Sequence, residues 1–267
     1  MKICNSSALF LLPRFFRNSF ALSAALLISS VGIVQAQPIT VPNHSFESQS
    51  GIGYPFGTNP NLDSWQKISE PAYFTPAFGA YGIPWYGTAG GFIDTNPYGN
   101  RIGTQAGYIL AAPQVTLFQD YDSSPTHDFN ATFDIGKSYN MTLGLFGKAN
   151  IIPGSTLQLS LYYRDGLNQK VVVGSTVVTY SAASFPASTN LNLIDYSVNI
   201  PTVQGSDAWA GQHIGIQMES TIPIEMTSFG NWDFDNVRLT AVPEPTTATL
   251  LAIGFGAWRV ARLRRRN

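Results

Sequence analysis

The chain has 267 residues with a formal net charge of −1, and only 12% of its side chains are charged against 44% apolar. Between residues 37 and 242 it carries seven basic and fifteen acidic residues, a net charge near −8, which excludes a nucleic-acid partner because neutralising phosphates takes a basic face. Its single cysteine is Cys4, so the segment beyond it holds no disulfide and must draw its stability from a core and, by expectation, a bound ion.

At the N-terminus Lys2, Arg14 and Arg17 lead into an apolar run without an acidic residue from Phe20 to Val34. This order predicts a signal peptide over residues 1–36, cleaved after Ala36, with small or aliphatic residues at Val34 and Ala36. Pro38 blocks any continuation of a helix. A retained anchor is the weaker reading, since the run is about 15 residues against the roughly 20 that a span needs.

Residues 37–241 are long enough for one sizeable core. From about Gly51 to Asn100, Gly, Pro and Asn are dense while Trp65, Tyr73, Phe74, Phe78, Tyr81, Trp85, Tyr86, Phe92 and Tyr98 crowd together. Such a segment reads as long loops over one end of a sandwich, with a few short strands inside them. Two uses of these rings stay open. They form a lid that buries apolar area, or a platform on which a sugar ring stacks while amides and carboxylates meet its hydroxyls. For the platform the expected residues are Trp85 and Tyr86, held outward in a Gly/Pro-punctuated loop with Tyr81, and with Asp94, Asn96 and Asn100 nearby in sequence. Trp65 leans toward a structural role.

Further on, the pattern is a series of short β-rich runs with no long amphipathic helix, and the expected fold class is all-β. The clearest predicted strands are 141–146, 156–164, 170–180, 194–200, 211–219 and 234–240. In 157–163 the leucines alternate with polar residues, which sets one face on a core. Arg164-Asp165-Gly166-Leu167-Asn168-Gln169 supplies a Gly-bearing turn between two of these strands.

Catalytic constellations are absent from the sequence, and the expectation is a protein that is not an enzyme. His44, His127 and His213 lack zinc-ligand spacing. No Gly-x-Ser-x-Gly elbow occurs. The carboxylate pairs Asp120/Asp122 and Asp233/Asp235 read as turn or metal residues rather than as a glycosidase pair.

At the C-terminus, Val242-Pro243-Glu244-Pro245-Thr246 precedes an apolar stretch from Ala248 to Val260 that overlaps a cluster of five arginines. A helix of that length measures roughly 20 Å against a hydrocarbon core of about 30 Å. The arginines favour the cytoplasmic side. Over residues 242–267 this order resembles the PEP-CTERM sorting signal, with Pro243, Glu244 and Pro245 as its motif. The resemblance implies an exosortase-type processing enzyme and the secretion machinery as partners, transient anchoring by a short transmembrane helix, and an envelope that makes exopolysaccharide.

The domain itself carries a second resemblance. Val41-Pro42-Asn43-His44-Ser45-Phe46-Glu47 near its start and Trp232-Asp233-Phe234-Asp235-Asn236-Val237-Arg238-Leu239 near its end resemble the opening and closing segments of galactose-binding-like jelly rolls, including family 4 and family 22 carbohydrate-binding modules. His44 stands where the family has Gly, and Asn236 where it has a second Asp. The resemblance implies a jelly-roll β-sandwich with a structural calcium at Glu47 and Asp235, to which Asn43, Ser45 and Asp233 add oxygens. Calcium needs such hard oxygen donors from converging loops. The expected function is therefore an exported, exosortase-sorted protein of the cell envelope or extracellular matrix whose sandwich binds polysaccharide. The alternative is a structural or adhesive matrix protein with protein partners or self-association and no sugar site.

Overall fold

The structure is a computed structural model that describes residues 35–48, 58–59, 62–74, 84–93, 99–123, 128–148, 150–186, 192–228, 230–244, 254, 258 and 262. One compact unit runs from Ala36 to Pro243, and the chain's two ends form a second.

Within the first unit, eleven strands are described: β1 (Gln37–Ile39), β2 (Thr58–Asn59), β3 (Ala89–Ile93), β4 (Gln105–Leu110), β5 (Thr116–Gln119), β6 (Lys137–Gly147), β7 (Thr156–Arg164), β8 (Lys170–Thr179), β9 (Ile194–Ile200), β10 (Gly215–Ser220) and β11 (Asn231–Pro243). The larger sheet has the order β2-β3-β4-β11-β6-β9, with β1 also paired to β11, and the smaller sheet the order β5-β10-β7-β8. Every named pairing is antiparallel. This is the expected all-β jelly-roll sandwich.

The period-two alternation of these strands fixes what lies between the sheets. Leu157, Leu159 and Leu161 of β7 are fully buried, as are Met141 and Leu145 of β6 and Trp232 and Phe234 of β11. Each such side chain contributes about 1.5–3 kcal/mol on burial. β7 and β9 begin and end at the predicted residues, β6 and β11 run longer, and β10 starts four residues later than predicted. The hairpin at 164–170 closes with Asp165 Oδ1 accepting the amides of Leu167 and Gln169.

A β-bulge in β11 decides where the acidic side chains point. Opposite β6 the register passes from Asp235↔Gly144 to Arg238↔Thr142, so one extra residue lies in β11, and Asn236 there has φ 58°. Before the bulge Trp232 and Phe234 face the core; after it Val237, Leu239 and Ala241 do. Asp233 and Asp235 consequently share the opposite, outward face of the larger sheet.

The predicted loop-rich segment contains β2, β3 and a 3-10 turn at Trp85–Thr88. Phe74 and Trp85 pack edge-to-face at 5.0 Å. Trp65 is buried, stacks on Phe46 at 5.2 Å and donates its indole N–H to the Asn43 carbonyl at 3.1 Å. It therefore has the structural role expected of it.

In the second unit, Gly254, Trp258 and Arg262 are helical, and the Arg262 guanidinium lies 5.2 Å from the Trp258 ring centroid. Among the described residues no helix is long and apolar enough to cross a membrane. The predicted signal peptide, apart from Gln35 and Ala36, and most of the apolar C-terminal stretch lie outside the described residues. β11 ends on Pro243, so the predicted motif Pro243-Glu244-Pro245 starts where the last strand stops, with Pro245 outside the described residues.

Candidate functional site

The outward face of the larger sheet holds a pocket lined by Phe92, Arg101, Ala106, Phe146, Leu193 and Asp233. Strand register explains the set. Phe92 pairs with Ala106, and Asp233 lies between Tyr108 on one side and Phe146 on the other. Phe92, Ala106, Phe146 and Asp233 lie on the face opposite Gly107, Leu145 and Phe234, which face the space between the sheets. Phe92 and Tyr108 meet edge-to-face at 6.3 Å. Phe146 is nearly buried and packs at 5.9 Å against Phe185.

The polar centre of the pocket is Asp233. Its carboxylate is 6% exposed and lies 2.9 Å from the Lys148 ammonium, which is 39% exposed. Lys148 also sits 5.0 Å from the Phe92 ring centroid, and the Asn231 side-chain amide donates to the same carboxylate. The pocket encloses about 10 Å³, room for about one water molecule, so a ligand could meet it only at its rim, beside the Phe92 ring and the exposed side of the Lys148 ammonium.

A second acidic pair lies close by. Asp235 is fully buried and accepts the backbone amides of Ile102 at 2.7 Å and Asn236 at 2.6 Å. Glu47 Oε1 accepts those of Thr104 at 2.9 Å and Gln105 at 2.6 Å. Between these donors Gly103 has φ +78°, and a Cβ there would collide with the Glu47 carboxylate. Burial pushes the Asp235 carboxyl up to about 7, with the Glu47 charge acting in the same direction and the two amides and Arg101 opposing it. The backbone around this corner is bent into the left-handed region at Asn43, Phe46 and Asn236, which is costly for a bulky Phe.

The predicted calcium set is therefore only partly assembled. Glu47 lies near enough to Asp235 for its charge to raise the Asp235 carboxyl, and two facing carboxylates are the kind of hard oxygen donors that a calcium ion would take. Asn43 is a correction, because its side chain is consumed locally. It donates to the carbonyls of Ser48 at 2.7 Å and Asp63 at 2.9 Å and accepts the Ser48 amide at 2.9 Å. Asp233 is a second correction, since Lys148 and Asn231 hold it at the neighbouring pocket. Ser45 lies half-buried in the same turn as Asn43. Among the described residues no group of three or more His, Cys, Asp or Glu side chains gathers as a metal site.

The loop platform is corrected at Trp85. That ring is buried, packs on Phe74 and donates its N–H to the Ile68 carbonyl at 2.9 Å, so it offers no open face. The local geometry demands this. The 3-10 turn is closed by the Thr88 hydroxyl on the Trp85 carbonyl, and Lys67 reaches under it to the carbonyls of Tyr86 and Ala89. Tyr86 stays 46% exposed. Tyr81, Asp94 and Asn96 lie outside the described residues.

Sequence reasoning placed neither Phe146 nor Lys148 nor Arg101 in a site. The available signal was the alternation in Trp232-Asp233-Phe234, which puts an acid on the face opposite two large core rings.

The family model described as HpiC1-like, HpiC1 cyclase, matches residues 37–240. No curated protein matches the chain. Among solved structures, a cyclase from Fischerella sp. TAU is 19% identical with a TM-score of 0.51, the match covering 79% of this chain and 100% of that one. The Stig cyclase Fisc from Fischerella sp. TAU, in complex with (3Z)-3-(1-methyl-2-pyrrolidinylidene)-3H-indole, is 20% identical with a TM-score of 0.48 over 78% and 99% of the two chains. The CBM22-1 xylan-binding domain of Paenibacillus barcinonensis Xyn10C is 10% identical with a TM-score of 0.43 over 80% and 99%.

Proposed function

The chain belongs to the HpiC1-like family, matched from residue 37 to residue 240, and on that premise we propose that its sandwich is a ligand-binding module of the cell envelope. It contacts an exopolysaccharide across the rim of the Phe92–Phe146–Asp233 pocket and performs no chemistry on it. The observation that supports this is the Asp233 carboxylate, 6% exposed beside Lys148 and flanked by phenyl rings. A sugar hydroxyl donates well to a desolvated carboxylate, while the ring's C–H face packs on Phe92. Glu47 and Asp235 would hold a calcium ion, which would stiffen the adjoining loop 101–105 through the amides that these carboxylates already accept. Export by the N-terminal signal and sorting through Pro243, Glu244 and Pro245 by an exosortase-type enzyme bring the module to polysaccharide.

A second reading follows from the family's description as a cyclase. In it, the protein is an enzyme that acts on an aromatic substrate bound against the Phe92, Phe146 and Asp233 side chains.

A polysaccharide pull-down with wild-type protein, Phe92→Ala and Asp233→Asn tests the first reading. Retention by wild type and loss in both variants supports it; equal retention by all three contradicts it. Turnover of an indole-bearing substrate by wild type but not by Asp233→Asn would move the conclusion to the second.

A further inference from the structure

Three Asn-x-Ser/Thr triplets without proline at the middle position lie within residues 37–242: Asn43-His44-Ser45, Asn130-Ala131-Thr132 and Asn140-Met141-Thr142. Such a triplet is the acceptor pattern for N-linked glycans in exported proteins. The structure separates the three.

The Asn43 side chain is already spent, donating to two backbone carbonyls and accepting one amide in a residue with φ 45°. Asn140 lies in β6, which has β11 on one side and β9 on the other. Its Nδ2 donates to Asn199 Oδ1 at 2.6 Å, and its Oδ1 accepts the Thr142 hydroxyl at 2.9 Å. A glycan on either nitrogen would displace bonds that the fold uses.

Asn130 differs on each count. It lies on the connection between β5 and β6, is exposed, and among the described residues no hydrogen bond engages its side chain. Its flanks are anchored. On one side Phe129 is buried in the core; on the other, the Ala131 carbonyl accepts the Ile214 amide at 2.8 Å and Thr132 pairs with His213. Between them the Asn130 amide donates to the Asp128 carbonyl at 2.8 Å, a tight reversal that leaves Asn130 at the surface. Asp128, two residues ahead, is also exposed, and its contact with the Ser64 hydroxyl is long at 3.4 Å. A carboxylate there offers a transferase with a basic subsite a charge-assisted contact. The other two triplets have Val41 and Ser138 at that position.

We propose that Asn130 is an N-glycosylation site, modified by an oligosaccharyltransferase that draws on a lipid-pyrophosphate-linked glycan. The Asn130 amide nitrogen attacks the anomeric carbon of the first sugar, and a C–N bond forms as the C–O bond to pyrophosphate breaks. The pyrophosphate leaves on its lipid with the bonding electron pair, and the proton lost by nitrogen passes to a base of the transferase. Neither oxidant nor reductant is needed. The Thr132 hydroxyl, which donates to Asp134 Oδ1 at 2.7 Å, is the group that the transferase reads two residues on. The attached glycan stays in water and displaces no packed side chain.

The proposal rests on the export proposed above, because lipid carriers of this kind present their glycans outside the cytoplasmic membrane. Its test does not pass through export, so the two can fail separately.

Purified full-length protein incubated with a bacterial oligosaccharyltransferase and an undecaprenyl-pyrophosphate-linked oligosaccharide, then mapped by peptide mass spectrometry, tests the proposal. Glycan should appear on Asn130 and not on Asn43 or Asn140, and the glycosylated protein should keep the melting temperature of the unmodified one. Asn130→Gln and Thr132→Ala should abolish the modification, and Asp128→Asn should slow it about tenfold, the equivalent of one charge-assisted contact. A synthetic peptide of residues 126–134 serves as the unfolded control. Asn130 left bare in the protein, whether or not the peptide is modified, overturns the proposal, and so does modification of Asn43 or Asn140 as fast as of Asn130. Modification of Asn130 in this assay together with retention of the chain in the cytoplasm of cells would count against export alone.

Discussion

The Asp233 carboxylate and the Lys148 ammonium meet at 2.9 Å on the outward face of the larger sheet, the acid almost dry and the cation largely wet. This asymmetry sets what happens when either partner is removed. Lys148→Met removes the cation at 2.9 Å from a buried carboxylate, and we expect a loss of about 1–2 kcal/mol, discounted because the cation is partly exposed. Asp233→Asn frees an ammonium that water already reaches and should cost less. Urea denaturation of both variants checks the order.

A pH dependence follows from Asp235. Its carboxyl sits near 7 in the fold against an ordinary value of 3.8, so the folded state binds the proton more tightly than the unfolded state does. The associated stability is complete below about pH 4 and is lost as the pH rises through about 7. Chelator-treated wild type should therefore lose melting temperature across that window relative to Asp235→Asn, and parallel profiles would contradict this.

Calcium should reverse the trend above neutrality, since the ion takes the ionised pair. At a hundredfold excess over its Kd the gain is about 2.7 kcal/mol. A calcium-induced rise in melting temperature in wild type, absent in Glu47→Gln, is the expected calorimetric result.

Gly107 of β4 faces the Phe234 ring so closely that a Cβ would fall inside it. Gly107→Ala should destabilise the sandwich by about 1–3 kcal/mol through overpacking. Thermal unfolding reads this directly, and an unchanged midpoint would show that the ring can retreat.

The two rings expected to form a platform should separate cleanly. Trp85→Ala empties a buried site and removes an indole hydrogen bond, at about 3–5 kcal/mol. Tyr86→Ala, on an exposed ring, should stay within about 0.5 kcal/mol. Denaturant midpoints for the pair check the contrast.

Much of the fold was legible because strands with alternating leucines declare a buried face, and β7 and β9 fall where the pattern put them. The pairing of Glu47 with Asp235 was reached through the resemblance of the first and last strands. The use of Trp85 stayed open between lid and platform because an aromatic beside Gly and Pro looks the same whether the turn points outward or folds under, and the choice rests on Ile68 and Phe74, far from it in the chain. The Asp233 pocket was hidden for a similar reason. Phe92, Phe146 and Lys148 are distant in sequence, and only the register of β3, β4, β11 and β6 makes them neighbours. The bulge at Asn236, which turns Asp233 and Asp235 to the same outward face as the aromatics, shows in the sequence as nothing more than one Asn.

Chemical-shift perturbation during titration with oligosaccharides of the native envelope polysaccharide tests the central claim most directly. The account predicts shifts concentrated at Phe92, Arg101, Phe146 and Asp233, with Tyr86 unmoved and the response lost in Asp233→Asn. Shifts centred on Tyr86, with the pocket residues silent, would contradict it.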